Sequence, residues 1–191
     1  FELPDAISPK SLGKSEDTRV IAIAVSSIAL FDAYKKGERI LFGNGGNGEL
    51  YQVTGWSYPE EGFTWTEGKK AELLLPVDNT SDMTAQVSVS PFLPENKIKS
   101  QKVNIYINGK KSGQWVLKTP ETSLQEIKIP KKLIKDKSVK ITFELPDAKS
   151  PASLGISQDQ RELAIQVWSV LIFTPEYKPG TEITFGKKGN S

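Results

Sequence analysis

A stretch of 31 residues occurs twice in this chain. Residues 143–173 read FELPDAKSPASLGISQDQRELAIQVWSVLIF, and residues 1–31 read FELPDAISPKSLGKSEDTRVIAIAVSSIALF. The copies align without gaps at an offset of 142, and 19 of 31 positions are identical. Beyond Phe173 the match continues with a one-residue shift. Tyr177–Gly180 echoes Tyr34–Gly37, and Ile183–Gly186 echoes Ile40–Gly43. A period near 140 residues is the size of a domain, whereas solenoid units run to roughly 20–50 residues. The expected organisation has three parts. Residues 1–37 are the C-terminal half of a preceding repeat, 38–173 a complete domain, and 174–191 a linker with the first strand of a following repeat.

A domain of this length can bury a real core. The chain holds 15 Gly and 12 Pro, and no long 3.6-residue apolar period, which favours short strands joined by turns. It has no Cys and no His. That removes disulfides, thiolate nucleophiles, the usual zinc sites and every His-based triad. Cys usage leaves the compartment open. Apolar runs such as Val20–Val25 are far too short to span a membrane as helices.

Local patterning gives about nine strands. Val103–Ile107 and Val139–Phe143 alternate apolar and polar residues, the period of a half-buried strand. Asn108-Gly109 is a strong signal for a type I′ hairpin. Strands are also expected at 39–42, 49–57, around Trp65, at 71–77, 84–89, 114–118, 124–129 and 162–173, and at 20–31 in the first copy. Tyr58–Gly62 should turn, and Lys131–Asp136 should be a helical turn or loop. With no crossover helices, the fold class is all-β: an antiparallel β-sandwich of jelly-roll type. Ile129, Val139, Ile141, Phe143, Leu163, Ile165 and Val167 are the expected core. Gly43–Gly48 is Gly-rich but lacks the Lys-Ser/Thr of a phosphate-binding loop.

Net charge is +2 but unevenly placed. Residues 97–140 hold twelve Lys against Glu121, Glu126 and Asp136, a net of +9. One reading is solvated strand faces; the other is attraction to an anionic polysaccharide or lipid headgroups. No stacking platform interleaves the lysines, so nucleic acid is not expected.

Trp56, Tyr58, Trp65 and Trp115 fall in or beside strand–loop junctions. Aromatic faces stack on the apolar C–H faces of sugars, while carboxylates and amides meet the hydroxyls. Trp56 and Trp65 read equally as core or as site, and Trp168, inside an apolar run, reads as core. Both copies of the repeat keep Ser-x-Asp-x-Arg, as Ser15-Asp17-Arg19 and Ser157-Asp159-Arg161. An Asp–Arg pair there would pin a long loop, with Glu60 as a second partner. The same groups near Trp65 would serve sugar hydroxyls or an acidic sugar. Glu60, Glu61, Glu67, Asp147 and Asp159 are the carboxylates open to glycoside chemistry, but no spacing selects a pair. Asp78, Asn79 and Asp82 offer oxygens to Ca²⁺, yet their spacing matches no standard ligand loop, and no cofactor is otherwise expected.

Four motifs together carry a resemblance. They are Gly55-Trp56-Ser57-x-Pro59-Glu60, Trp65-Thr66-Glu67-Gly68-x-x-Ala71-x-Leu73, Ile107-Asn108-Gly109, and Ser150-Pro151-x-Ser153-Leu154-Gly155-x-Ser157-x-Asp159-x-Arg161. The chain resembles an accessory β-sandwich domain of bacterial surface-polysaccharide assembly. That domain often follows membrane glycosyltransferases or phosphoglycerol-transferase-like enzymes. The resemblance covers residues 38–173 and, for the partial copy, 1–31. It implies a non-catalytic, extracytoplasmic module similar to carbohydrate-binding modules, with a glycan partner and an attached membrane glycosyltransferase. Two copies in one chain depart from the single-copy arrangement of that family. The expected ligand residues are Trp56, Tyr58, Glu60, Trp65, Asp159 and Arg161. The alternatives are a structural or adhesive spacer with no small ligand and, further off, a polysaccharide hydrolase or lyase. The half-copy at 1–31 is expected to drive self-association through its unpaired strand.

Overall fold

The computed structural model describes residues 2, 4–23, 34, 37–77 and 81–174. It divides into two units, Phe1–Asp32 and Ala33–Ser191. In the first, the described residues form a looped segment closed by an antiparallel bridge between Ile7 and Ile21. The strand expected at 20–31 lies mostly outside the described residues, as do 175–191 of the expected C-terminal linker and strand.

The second unit is a two-sheet antiparallel sandwich, as the alternating pattern requires. Among the described residues eleven strands run in order: β1 (Arg39–Leu41), β2 (Gln52–Thr54), β3 (Trp56–Pro59), β4 (Thr64–Glu67), β5 (Lys70–Pro76), β6 (Met83–Pro91), β7 (Gln101–Ile107), β8 (Lys110–Leu117), β9 (Ser123–Ile129), β10 (Ser138–Glu144) and β11 (Leu163–Phe173). Sheet one has the order β3-β4-β11-β6-β9, with β1 also paired to β11. Sheet two has the order β2-β5-β10-β7-β8.

The core lies between the sheets and is aliphatic, with Phe42, Phe143 and Trp115 among its larger members. All seven residues expected in the core are buried. Tyr34 joins them: its hydroxyl accepts the Ile172 N–H at 2.9 Å and donates to the Glu38 carbonyl. The sandwich therefore begins its contacts before residue 38.

Two local features re-aim the strands. Residues 49–57 are expected as one strand; instead Gly48–Leu50 is a 3-10 turn and two strands follow it, parted at Gly55 with φ +79°. A Cβ on Gly55 would lie 1.9 Å from the Lys70 carbonyl oxygen, so only Gly permits this approach. β2 therefore joins sheet two while β3 joins sheet one. The following turn is shorter than expected, since β3 runs through Pro59. The second feature is a bulge in β11, where the register against β6 shifts between Val167 and Ser169. Ile165 and Val167 face inward, and so do Val170 and Ile172. Trp168 is the extra residue in that step; it faces outward by alternation from Val167, and the bulge resets the phase so that Val170 and Ile172 face inward. The Asn108-Gly109 turn is as expected, with both residues at positive φ (+46° and +79°).

Candidate functional site

The Ser-x-Asp-x-Arg segment builds itself from local chemistry. Ser157 Oγ accepts the Asp159 N–H at 3.2 Å, and Asp159 Oδ1 accepts the Arg161 N–H at 2.9 Å. The Arg161 guanidinium then folds back onto the same carboxylate, Nη2 to Oδ2 at 2.7 Å and Nε to Oδ1 at 3.1 Å. Short polar side chains capture nearby backbone in this way without tertiary help. The first copy repeats it. Asp17 Oδ1 accepts the Arg19 N–H at 2.9 Å, and Arg19 Nη2 reaches Asp17 Oδ2 at 2.6 Å. The loop hydrogen bonds match too, as Lys10 N–H to the Asp17 carbonyl and Ala152 N–H to the Asp159 carbonyl, both 2.9 Å.

The surroundings differ. Arg161 Nη1 also donates to Ser57 Oγ at 2.7 Å and lies 3.7 Å from Glu60 Oε1. Ser57 Oγ in turn donates to Glu67 Oε2 at 3.2 Å. Three carboxylates thus gather about one guanidinium. The hydrogen bonds from the Arg161 side chain and backbone hold the Asp159 carboxyl below its ordinary range. The same Asp159 bond raises the Arg161 guanidinium further above neutrality. Both stay charged at pH 7, and Asp159 has no proton to give as a general acid. With one cation to three anions, the cluster offers acceptors more than donors. It suits hydroxyl groups and disfavours the acidic sugar that the sequence left open.

Strand alternation sets the aromatic half of the site. Thr64 and Thr66 of β4 are buried, so Trp65 and Glu67 face outward. Thr66 Oγ1 bonds both the Ile165 N–H and carbonyl, at 3.1 and 3.2 Å, where β4 and β11 lose register. Trp65 meets Phe63 and Phe92 edge-to-face, with centroids 6.0 and 5.9 Å apart. Phe63 continues to Trp168 at 4.9 Å. The Trp168 indole N–H donates to Ser90 Oγ at 2.9 Å. All four rings are half-buried on the outer side of sheet one.

Of the expected ligand residues, Glu60, Asp159 and Arg161 come together here, and Trp65 stands on the same outward side of β4 as Glu67, two residues before it. Tyr58 lies on edge strand β3 beside Ser57 and is 89% exposed, without a ring partner among the described residues. Trp56 is elsewhere. It packs on the inter-sheet core against Phe42 at 5.3 Å and Phe143 at 6.3 Å, and its indole N–H donates to the Glu72 carbonyl at 2.8 Å. Sequence reasoning missed Ser57, Phe63, Phe92 and the outward Trp168. The signal for Trp168 was the three-residue step from Val167 to Val170 in an otherwise alternating strand. Asp147, another expected carboxylate, accepts the Lys102 N–H at 3.0 Å. Asp82 accepts the Lys131 N–H at 2.7 Å, and Asp78 and Asn79 lie outside the described residues. Among the described residues, no group of three or more acidic side chains is placed to hold a metal ion.

The outer face of sheet two is a ladder of paired polar groups. Glu72 sits between Lys70 at 3.3 Å and Lys140 at 3.6 Å, and Glu144 accepts from Asn104 and Tyr106.

No protein-family model matches the chain, and no curated protein matches it. Among solved structures the similarities are weak and at low identity. A family 36 carbohydrate-binding module, solved with calcium and xylotriose, is 13% identical with a TM-score of 0.42, covering 71% of this chain and 98% of that one. A family 35 carbohydrate-binding module from an environmental isolate is 14% identical with a TM-score of 0.39, covering 81% and 96%. A family GH115 4-O-methyl-alpha-glucuronidase with specificity for decorated arabinogalactans is 8% identical with a TM-score of 0.46 over 89% of this chain. The match spans 21% of that enzyme's length. The two-sheet antiparallel sandwich itself rests on the chain's own strand pairing.

Proposed function

We propose that the sandwich is a non-catalytic glycan-binding module, and that it binds through the outer face of sheet one at Trp65. One observation carries this reading. Half-exposed rings of Trp65, Phe63 and Trp168 lie on the outer surface of sheet one, and Glu67, two residues from Trp65 on the same side of β4, leads into the cluster of Ser57, Glu60, Asp159 and Arg161. An exposed apolar ring next to hydroxyl-acceptors is what a sugar ring, apolar on its faces and polar at its rim, requires. The cluster is pre-organised by its own hydrogen bonds, so little ordering is left for binding. The motif resemblance adds the context we propose: an extracytoplasmic domain of a bacterial envelope protein, attached to a membrane glycosyltransferase.

The test is a bacterial glycan array probed with the whole chain and with Trp65→Ala. The expected result is binding that Trp65→Ala abolishes while thermal unfolding stays cooperative. Absence of binding to every glycan would sink the reading in favour of a structural spacer.

A further inference from the structure

A second surface lies at the opposite edge of sheet one, where β9 of that sheet and β8 of sheet two are both edge strands. Lys110, Lys111 and Ser112 from β8, Lys128 from β9, and Lys132 from a 3-10 turn (Lys131–Leu133) line a pocket of about 520 Å³. Pro130 and Leu133 are its apolar wall. No acidic residue lines it among the described residues. Lys128 pairs with Glu126 at 3.0 Å, while Lys110, Lys111 and Lys132 make no ion pair among the described residues.

Like charges separate unless something holds them. Here Asn108 does so. Its side-chain amide donates to the Leu133 carbonyl at 2.8 Å and the Ser138 carbonyl at 3.1 Å, and its oxygen accepts the Lys140 N–H at 2.8 Å. This ties the β7–β8 hairpin to the 3-10 turn and brings Lys110 and Lys111 up to Lys132. Asp82 fixes the other end of that turn through the Lys131 N–H.

We propose that this pocket binds an anionic polysaccharide, with Lys110, Lys111, Lys128 and Lys132 meeting successive acidic groups. Ammonium groups are point charges that accept carboxylates or phosphates spaced along a chain, without the planar fork that Arg demands. Pro130 and Leu133 offer apolar contact to sugar C–H faces. No aromatic ring lines the pocket, so nucleic-acid bases have nothing to stack on. The lysines line a concavity whose wall also carries Pro130 and Leu133, and titration with anionic vesicles separates a lipid head group from a polysaccharide. Edge-strand lysines also deter edge-to-edge pairing. That accounts for Lys110, Lys111 and Lys128. It does not account for Lys132, which is on no strand, or for the Asn108 and Asp82 anchors.

The site is independent of the Trp65 face, and the test keeps them apart. The whole chain is titrated by calorimetry with an oligogalacturonate of roughly ten residues, with a neutral cello-oligosaccharide, and with anionic phosphatidylglycerol vesicles. Lys110→Gln/Lys132→Gln is compared with Lys97→Gln/Lys99→Gln, which removes equal charge elsewhere in the basic segment. Lys111→Gln/Lys128→Gln is a second pocket pair in case the first fails to fold. The expected result is oligogalacturonate binding that weakens about tenfold, with a shallower salt dependence, in the pocket pairs. The distal pair should change it less than about twofold, and Trp65→Ala should leave it unchanged. Equal loss in pocket and distal pairs would overturn the site and leave only net charge. Binding to vesicles alone, or no binding, also overturns it. So does unchanged affinity accompanied by new self-association in the pocket pairs, which would mark the lysines as edge protection.

Discussion

The Asp159 carboxylate receives both the backbone N–H and the guanidinium of Arg161, and that guanidinium still reaches Ser57 on β3. One residue thus closes its own loop and ties it to a strand a hundred positions earlier. Its counterpart Arg19 makes the same local bonds, but its side chain is 81% exposed against 35% for Arg161. The local motif is common to both copies, and the bridge to Ser57 is what places Arg161 at the aromatic face.

Arg161→Lys should keep the charge and lose the fork. An ammonium cannot bond two edges of Asp159 and reach Ser57 at once. We expect a loss of ~1–2 kcal/mol in urea denaturation, the range of one or two charge-assisted hydrogen bonds at a partly exposed site. Glycan binding should fall with it. Unchanged stability would show that the loop holds without the fork.

Acid should weaken this pair. Asp159 has its carboxyl lowered in the folded state, chiefly by the Arg161 guanidinium. Its stabilisation is therefore complete above the unfolded value of about 3.9 and is lost as pH falls through the folded one. Thermal unfolding should show the loss below about pH 4, and Asp159→Asn should be less stable at neutral pH but flatter in that window. Parallel pH curves for the two proteins would exclude the pair as a source of acid sensitivity. Glu72, lowered against desolvation by Lys70 and Lys140, should act in the same direction.

Trp56 and Trp65 should separate in mutation. Trp56→Ala empties a place between Phe42 and Phe143 and leaves the Glu72 carbonyl without its donor, so it should cost ~3–5 kcal/mol. Trp65→Ala removes a half-exposed ring and should cost ~1–2 kcal/mol. Denaturant midpoints measure both. Equal, large losses would place Trp65 in the structural core as well.

Gly55→Ala should be among the most damaging small changes. It combines positive φ with a Cβ 1.9 Å from the Lys70 carbonyl oxygen. Backbone must move at the point where β2 and β3 part, and we expect at least ~2 kcal/mol of destabilisation. Gly62→Ala is milder: its Cβ would meet the Trp168 ring at 3.0 Å. It should displace that ring and shift tryptophan fluorescence. An unmoved spectrum would mean that the ring stays in place and the backbone at residue 62 takes up the contact.

Asn108→Ala should cost ~2–3 kcal/mol, because it strips the donors from two carbonyls and places Ala at φ +46°. Stability like that of the unaltered chain would show that water replaces the amide at little cost.

The sequence by itself determined what depends on near neighbours. Alternation in β7 and β10 fixed which residues face the core, Asn108-Gly109 fixed a hairpin, and Ser157-Asp159-Arg161 fixed a loop that residues 15–19 build again. These follow from side-chain period and local hydrogen bonding, which need no distant partner. Tertiary structure alone decided the rest. Trp56 and Trp65 look alike in sequence, each beside Ser or Thr in a short strand. Gly55 turns the chain from one sheet to the other, β3 then starts with Trp56 facing the core, and alternation on β4 sends Trp65 out. Pairing of β11 with an outer face left uncovered put Trp168 outside in a run that read as wholly buried, and the bulge after Val167 returned Val170 and Ile172 to the core. The lysines gather only because Asn108 ties a hairpin to a turn 25 residues later in the chain. Such contacts depend on which strands pair and in what register, and that is set by the packing of both sheets together.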